Sequence, residues 1–200
     1  MFRLAFTTIF ISVVCIANGQ LSKSTWLAGG MGAVSFQKDN YPGNLIVKTS
    51  KINLAPNIGY FFVEKFAAGI RLGYSYQSMV TPQTPPTSPT YFREQIFYGG
   101  PFARYYLLPA AKQLNCLVDG SYSYNTKRGG SIVNGPPGDI SYTTYNSGKF
   151  GIAAGPVFYF NSTVGLETLI SYTHETANSN FSPKTNAFQL FIGLQVHLEK

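Results

Sequence analysis

Charged residues are scarce in this chain. Only 12% of its 200 residues are Asp, Glu, Lys or Arg, whereas ordinary soluble proteins have about 25%. This shortage argues against an ordinary soluble surface, because too few charges are present to cover one. The abundant residues are instead 14 Tyr, 16 Phe and 20 Gly, and the aromatic residues favour β structure.

The N-terminus has the features of a secretory signal peptide. Arg3 supplies a positive charge, residues 4–17 form an almost unbroken apolar run, and residues 17–19 place small side chains at a cleavage site. We predict a signal peptide over residues 1–19, cleaved before Gln20, and one mature domain over residues 20–200. The apolar run is too short to span a membrane, and no stop-transfer pattern follows it.

Cysteine is also nearly absent. The chain has two, Cys15 and Cys116, and Cys15 lies in the segment that we expect to be removed. Export leads to a compartment that permits disulfides, but a single remaining thiol cannot form an internal bridge. Stability must therefore come from side-chain packing and backbone pairing.

Long apolar runs are missing after residue 19. None approaches the roughly 18 consecutive apolar residues of a membrane helix, so the mature chain could enter a membrane only as β-strands. Loss of Arg3 leaves 14 of the 15 basic residues against 8 acidic ones, a net charge of +6. The basic residues are scattered and export separates the chain from nucleic acid, so we expect no nucleic-acid partner.

Apolar side chains recur at every second position over long stretches. In FAAGIRLGYSY, residues 66–76, the apolar residues alternate with small or polar residues and one arginine. Ordinary strands have about five or six residues, whereas a tilted membrane strand needs about 9–11, and these segments are long enough for the latter. The eight predicted strands are residues 24–36, 48–61, 66–79, 94–108, 114–126, 143–159, 164–176 and 185–198.

The connections between these segments alternate in length. The links after the second, fourth and sixth segments are short, and those after the first, third, fifth and seventh are longer and rich in turn formers. This alternation is typical of bacterial outer-membrane barrels. We predict an all-β fold: an eight-stranded antiparallel up-and-down transmembrane β-barrel with short periplasmic turns and longer outer loops.

Alternation alone leaves two orientations open. A secreted lipocalin-like carrier would turn the apolar face inward around a small apolar ligand, and a membrane barrel would turn it outward into lipid. On a soluble barrel the polar face would be rich in charge. Here it is mostly Gly, Ala, Ser, Asn and Gln, which suits the crowded interior of a narrow barrel and favours the membrane orientation.

The few charges of the polar face balance one another. An unpaired buried charge costs several kcal/mol, so an interior position demands opposite partners. The alternative is that each charge lies singly on a wet surface. We predict a barrel-interior charge network in which Glu94, Asp119 and Glu167 oppose Arg71, Arg104 and Lys149.

Aromatic residues crowd the ends of the predicted strands, where the aromatic girdles of a membrane barrel lie. The set is Trp26, Phe36, Tyr60, Phe62, Phe66, Tyr74, Tyr76, Tyr105, Tyr122, Tyr124, Phe158 and Tyr172.

Three short phrases carry a resemblance to a known family. They are PNIGYF at residues 56–61, AGIRLGY at residues 68–74 and PFARYY at residues 101–106. These resemble the outer-membrane β-barrel domain family common in Bacteroidetes, a porin-family type related in architecture to the OmpA and OmpX barrels. The resemblance covers essentially the whole mature chain. It implies an eight-stranded barrel in the outer membrane of a Gram-negative bacterium and no catalytic residues.

Residue patterns for catalysis are missing. No phosphate-binding loop, Cys/His metal spacing or nucleophile elbow is present, so we expect no enzyme, cofactor or metal. The one candidate is His174, near Ser171 and Glu175. Alternation points His174 and Ser171 to opposite sides of a strand, which argues against a lipid-modifying enzyme. We interpret His174 and His197 as solvated rim residues.

The remaining expectation concerns the loops. Residues 81–90 are rich in proline and should be extended, and residues 127–142 should form a longer, more flexible loop. Either loop is a candidate binding surface, in which Lys127 and Arg128 would pair with lipid phosphates. The alternative is that both are solvated loop tips with no specific partner. We expect a non-enzymatic, monomeric scaffold in the outer membrane. Its partners are outer-membrane lipid and lipopolysaccharide, with an unidentified surface partner as a further alternative.

Overall fold

Eight antiparallel strands form a closed barrel in the computed structural model, which describes residues 21–41, 45–81, 90–109, 112–132, 141–177 and 185–198. Each strand pairs with the next in the chain, and β1 pairs with β8. The predicted fold class is thereby confirmed in its strand number, closure and order. The strands are β1 (Trp26–Tyr41), β2 (Leu45–Val63), β3 (Phe66–Thr81), β4 (Thr90–Tyr106), β5 (Leu114–Ile132), β6 (Ser141–Tyr159), β7 (Val164–Ala177) and β8 (Thr185–Leu198).

The two ends of the barrel differ. The β2–β3, β4–β5 and β6–β7 connections meet at one end, which we call the turn end, and the other connections meet at the loop end. Predicted and observed strand bounds agree closely at the turn end. The predicted signal peptide and most of the proline-rich segment lie outside the described residues.

Several strands are longer at the loop end than predicted. β1 and β2 leave only residues 42–44 between them, so the expectation of a longer link there is wrong, and β5 continues to Ile132 within the predicted flexible loop. In β1 the residues beyond Phe36 (QKDN, residues 37–40) are all polar in sequence, so the alternation of period two is lost. Backbone pairing between strands needs no such alternation, which explains why the β1–β2 ladder continues beyond the residues that alternate.

The apolar face of every strand points outward. Ile70 is 57% exposed whereas its neighbour Arg71 is 9% exposed, and Ile152 is 48% exposed whereas Ala153 is 8% exposed. The alternative of a carrier with its apolar face inward is therefore wrong. The predicted girdle residues include large exposed aromatics on six strands, among them Trp26, Phe36, Phe62, Tyr105, Tyr122, Phe158 and Tyr172.

Three even-numbered strands carry a proline on the outer face. At Pro56 the β2–β3 register passes from Leu54 to Asn57 without a pair, and the same interruption occurs at Pro101 between β4 and β5 and at Pro156 between β6 and β7. Proline has no backbone N–H to donate to a ladder. Each interruption therefore falls on one side of its strand, while the register on the other side continues through the proline.

The segment before β1 closes the turn end. The backbone N–H of Ser24 donates to the carbonyl of Phe61 at 2.9 Å, and the N–H of Lys65 donates to the carbonyl of Leu21 at 3.0 Å. The side chain of Leu21 is 1% exposed and belongs to the same buried apolar cluster as Phe61 and Tyr106. Residues 21–25 thus form a plug below the strands, with Leu21 as its apolar contact to the barrel.

His197 is not a solvated rim residue, and this corrects the expectation from sequence. It is 2% exposed, and its ring contacts those of Phe61, Tyr106 and Tyr159 at centroid distances of 5.4 to 6.0 Å. β8 alternates without interruption, so the odd-numbered position of His197 faces inward with Gln195. The odd-numbered position of His197 in the strand determines its environment, and its closeness to the chain end does not.

None of the described residues forms a helix long and apolar enough to cross a membrane.

Substitution of Leu21 tests the plug. Leu21→Ala should lower the free energy of unfolding by about 2–5 kcal/mol, because it opens a cavity in a buried cluster. The matched control is Leu107→Ala, since Leu107 is 51% exposed at the same end, and it should change stability by less than about 0.5 kcal/mol. Urea unfolding in detergent micelles measures both, and equal effects would refute the plug.

Candidate functional site

Four charged side chains from four strands meet in the middle of the barrel. They are Arg71 of β3, Arg104 of β4, Asp119 of β5 and Glu167 of β7, and we call them the central ion cluster. The side chains of Arg104, Asp119 and Glu167 are at most 1% exposed, and that of Arg71 is 10% exposed. All four lie at positions whose parity faces the barrel interior on their strands.

Asp119 is the centre of this cluster. Arg71 donates two hydrogen bonds to it, from Nη1 to Oδ1 at 3.0 Å and from Nη2 to Oδ2 at 2.7 Å. Arg104, its direct register partner, donates from Nε to Oδ2 at 3.1 Å. A bidentate arginine–carboxylate pair fixes both distance and orientation, so this carboxylate joins β3, β4 and β5.

Arg104 extends the cluster across the barrel. Its Nη1 donates to Oε1 of Glu167 at 2.6 Å, and Glu167 also accepts from Nε2 of Gln195 on β8 at 3.4 Å. The cluster therefore ties together five of the eight strands. Two arginines face two carboxylates, so the enclosed charge is balanced, as a poorly hydrated interior requires.

An aromatic ring supports the two guanidinium groups. The ring centroid of Phe102 lies 4.8 Å from Cζ of Arg71 and 5.7 Å from Cζ of Arg104. A guanidinium within about 6 Å of a ring centroid is attracted by the negative face of the ring. Phe102, which is 2% exposed, thus packs against both arginines of the central ion cluster.

Glycine makes room for this network at one position in particular. A Cβ at Gly193 would lie 2.8 Å from Cγ of Met31 and 3.4 Å from Oε2 of Glu167. Gly193 is the register partner of Glu167. The absence of a side chain there leaves the space that Met31 occupies beside the glutamate.

A second group of charges lies nearer the loop end. We call Lys51, Glu94, Lys127, Lys149 and Glu175 the upper cluster. Lys127 forms an ion pair with Glu175, which also accepts a hydrogen bond from Ser147, and Glu94 accepts one from Tyr145. Three lysines face two glutamates, so this region has an excess of positive charge.

Tyr98 crosses the neighbouring strand β3 to reach β2 and also contacts the upper cluster. Its ring lies over Gly73, where a Cβ would come within 2.0 Å of Tyr98 Cζ, and its hydroxyl donates to Oδ1 of Asn53 at 2.7 Å. The Nζ of Lys149 lies 4.4 Å from the centroid of the same ring. A tyrosine of β4 therefore reaches β2 because β3 has no side chain at Gly73.

The structure places the six predicted interior charges in two groups. Arg71, Arg104, Asp119 and Glu167 form the central ion cluster, whereas Glu94 and Lys149 belong to the upper cluster and contact tyrosines. Lys51, Lys127 and Glu175 were missed. Strand parity would have found Lys51 and Glu175, since each continues the inward series of its strand, whereas Lys127 was assigned to a loop.

The predicted lipid contact of Lys127 is wrong. Lys127 points inward to Glu175, and only Arg128 points outward, where its Cζ lies 4.5 Å from the ring centroid of Tyr142. Because β5 extends beyond the predicted loop start, the two adjacent residues alternate between the faces.

His174 and Ser171 lie on opposite faces, as alternation predicts. Ser171 is 7% exposed in the interior, whereas Nδ1 of the outward His174 lies 2.7 Å from Oδ1 of Asn186. Glu175 faces inward and pairs with Lys127. These three side chains do not form a catalytic set.

Comparisons with known proteins identify similar folds only. No family model matches the chain, and no curated protein matches it. Among solved structures, the chain is similar to the outer membrane protein OprG from Pseudomonas aeruginosa, with 11% identity, 91% of this chain and 99% of that chain covered, and a TM-score of 0.48. It is also similar to Ail, the attachment invasion locus protein of Yersinia pestis, with 13% identity, coverage of 89% and 100%, and a TM-score of 0.47.

Removal of Arg104 tests the central ion cluster. Arg104→Ala should lower the free energy of unfolding by about 3–5 kcal/mol, because it leaves Glu167 buried without its cation. The matched control is Arg128→Ala on the outer face, which should change it by less than about 0.5 kcal/mol. Guanidinium unfolding in detergent measures both, and an unchanged midpoint for Arg104→Ala would contradict the assignment.

A side chain at Gly73 should displace Tyr98. Gly73→Ala is expected to cost about 1–3 kcal/mol of stability through overpacking, and to break the hydrogen bond to Asn53. Gly120→Ala is the control, because a Cβ there meets nothing within 4 Å. Unfolding midpoints compare the two variants, and equal midpoints would show that the ring does not occupy this position.

Proposed function

We propose that the chain is a non-enzymatic integral outer-membrane protein, a barrel that anchors itself in lipid and presents its loop end to the cell's surroundings. The observation that carries the proposal is the contrast between the two faces of the wall. The outer face is apolar on all eight strands, and the enclosed face holds a charge-balanced cluster.

The outer face is too apolar for water. Residues such as Leu72, Ile170 and Ile192 are each about 60% exposed, and comparable residues surround the whole barrel. Soluble monomers rarely expose contiguous apolar patches above a few hundred Å². Acyl chains are the solvent that such a surface fits, and barrel closure satisfies the backbone groups that lipid cannot bind.

The two ends support an orientation. The turn end has short connections and the plug of residues 21–25, whereas the strands of the loop end run on beyond the apolar part of the wall. In outer-membrane barrels the short turns face the periplasm. The outward Arg128 beside Tyr142 is then placed for contact with phosphate groups of lipid or lipopolysaccharide.

A scaffold role is favoured over a catalytic one. The described residues contain no group of three or more His, Cys, Asp or Glu side chains that could hold a metal ion. The histidine nearest to a serine in sequence, His174, lies on the other face from it. The charges of the central ion cluster pair with one another, which supports a part in holding the wall together.

Spin labels test the membrane orientation. In a Cys116→Ser background, labels at Ile70 and Ile152 should collide readily with oxygen dissolved in the bilayer, because these positions face lipid. A label at Ser121, an inward position of β5, should be shielded. Collision rates from power saturation in liposomes measure this.

The reverse pattern of oxygen access would overturn the proposal. A second test uses the intact wild-type protein, which should migrate differently on gels before and after boiling, as folded membrane barrels do. Solubility of the folded chain in the absence of detergent would also contradict the membrane assignment.

A further inference from the structure

The seam between the first and last strands is paired over only part of its length. The β1–β8 register runs from Trp26↔Leu198 to Gly32↔Ile192 and ends there. Yet β1 continues to Tyr41, fully paired with β2, and β8 begins at Thr185, paired with β7. Residues 33–39 and 185–191 therefore line an opening in the wall toward the loop end.

Unpaired strand edges are costly in lipid. Backbone groups without partners cost several kcal/mol each in hydrocarbon, and open edges are tolerated there only beside protein or a water-filled cavity. Continuing the register would place Val34 opposite Leu190. These side chains are 62% and 59% exposed, so the two strands have apolar outer faces at the opening.

Two adjoining cavities occupy the opening, and they differ in character. One of about 360 Å³ is lined on the outside by apolar residues, including Ile52, Leu54 and Ile192. The other, of about 500 Å³, leads inward and has a mixed lining, half of it polar, including Lys51, Gln77 and Gln189. Both share Ala33, Val34, Asn53 and Leu190 as lining residues, so the apolar groove and the inner cavity are continuous.

Lys51 supplies a positive charge at the inner end. It also lines a further cavity of about 80 Å³ together with Lys149. Among the described residues, no carboxylate lies within 4.0 Å of the Nζ of either lysine, since Glu175 pairs with Lys127 and Glu94 accepts from Tyr145. A binding site with an apolar groove outside and two available ammonium groups inside is complementary to one chemical class.

We propose that the β1–β8 opening is a lateral binding site for a single-chain amphiphile with an anionic head group. The acyl tail lies in the groove of Ile52, Leu54 and Ile192, and the anionic head enters between β1 and β8 to bind Lys51. Such a ligand comes directly from the surrounding lipid leaflet. The inference rests on the membrane placement proposed above, because only then does the groove face acyl chains.

Binding of a fatty acid tests the head-group contact. Wild-type protein in nanodiscs is titrated with nitrobenzoxadiazole-labelled lauric acid, with empty nanodiscs as the background. Lys51→Gln should weaken binding about tenfold, the loss of one charged contact. Lys48→Gln, on the outer face of the same strand, should leave the affinity unchanged. Unlabelled lauric acid should displace the probe at least tenfold better than dodecanol.

Closing the opening tests the lateral route. In a Cys116→Ser background, Val34→Cys with Leu190→Cys is oxidised to join the two strands, and the same sample is then reduced. We expect binding to fall at least tenfold on oxidation and to return on reduction. Should the bond not form, Gln189→Trp fills the inner cavity instead and should weaken binding at least tenfold.

Equal affinities for wild type, Lys51→Gln and Gln189→Trp would overturn the lateral site. So would equal binding by the oxidised and reduced forms. Heat-dependent gel migration is followed for every variant. Variants that still insert and migrate as folded barrels but bind the probe like wild type would refute this inference alone and leave the membrane placement standing.

Discussion

Asp119 is the residue on which the interior depends. It accepts hydrogen bonds from Arg71 and Arg104, and Arg104 in turn holds Glu167 on the far wall. A narrow barrel must fill its interior with its own side chains, and each polar group placed there must find a partner. Two guanidinium groups paired with the carboxylates of Asp119 and Glu167 help to fill this space and leave no net charge.

Small residues provide the space that the large interior side chains need. Tyr98 reaches Asn53 only because Gly73 is empty, and Glu167 occupies the space beside Gly193. The glycines of the inner face are therefore part of the polar network. The low content of charged residues in the sequence follows from this arrangement, since the outer face needs no charged side chains and the inner face has room for few.

Sequence reasoning predicted the fold to a large extent. Apolar and polar residues alternate over segments long enough to span a membrane, and this is a strong signal where the barrel wall has an apolar and a polar face. It failed where that contrast ends: β1 continues through a polar segment to Tyr41, and β5 through Lys127 to Ile132. Within the site, parity placed Arg71 and Asp119 on one face. Which charges meet depends on stagger between strands, so the separation of Lys149 and Glu94 from the central ion cluster was not predictable.

The β1–β8 seam has a consequence for the order of folding. Every other pairing joins neighbours along the chain and can form as a local hairpin, whereas this one joins segments that are separated by the whole barrel. Closing such a long loop carries the largest entropy cost and delays the contact. The ring is thus completed by its shortest ladder, and the strand pair that assembles last is also the one held by the fewest backbone bonds.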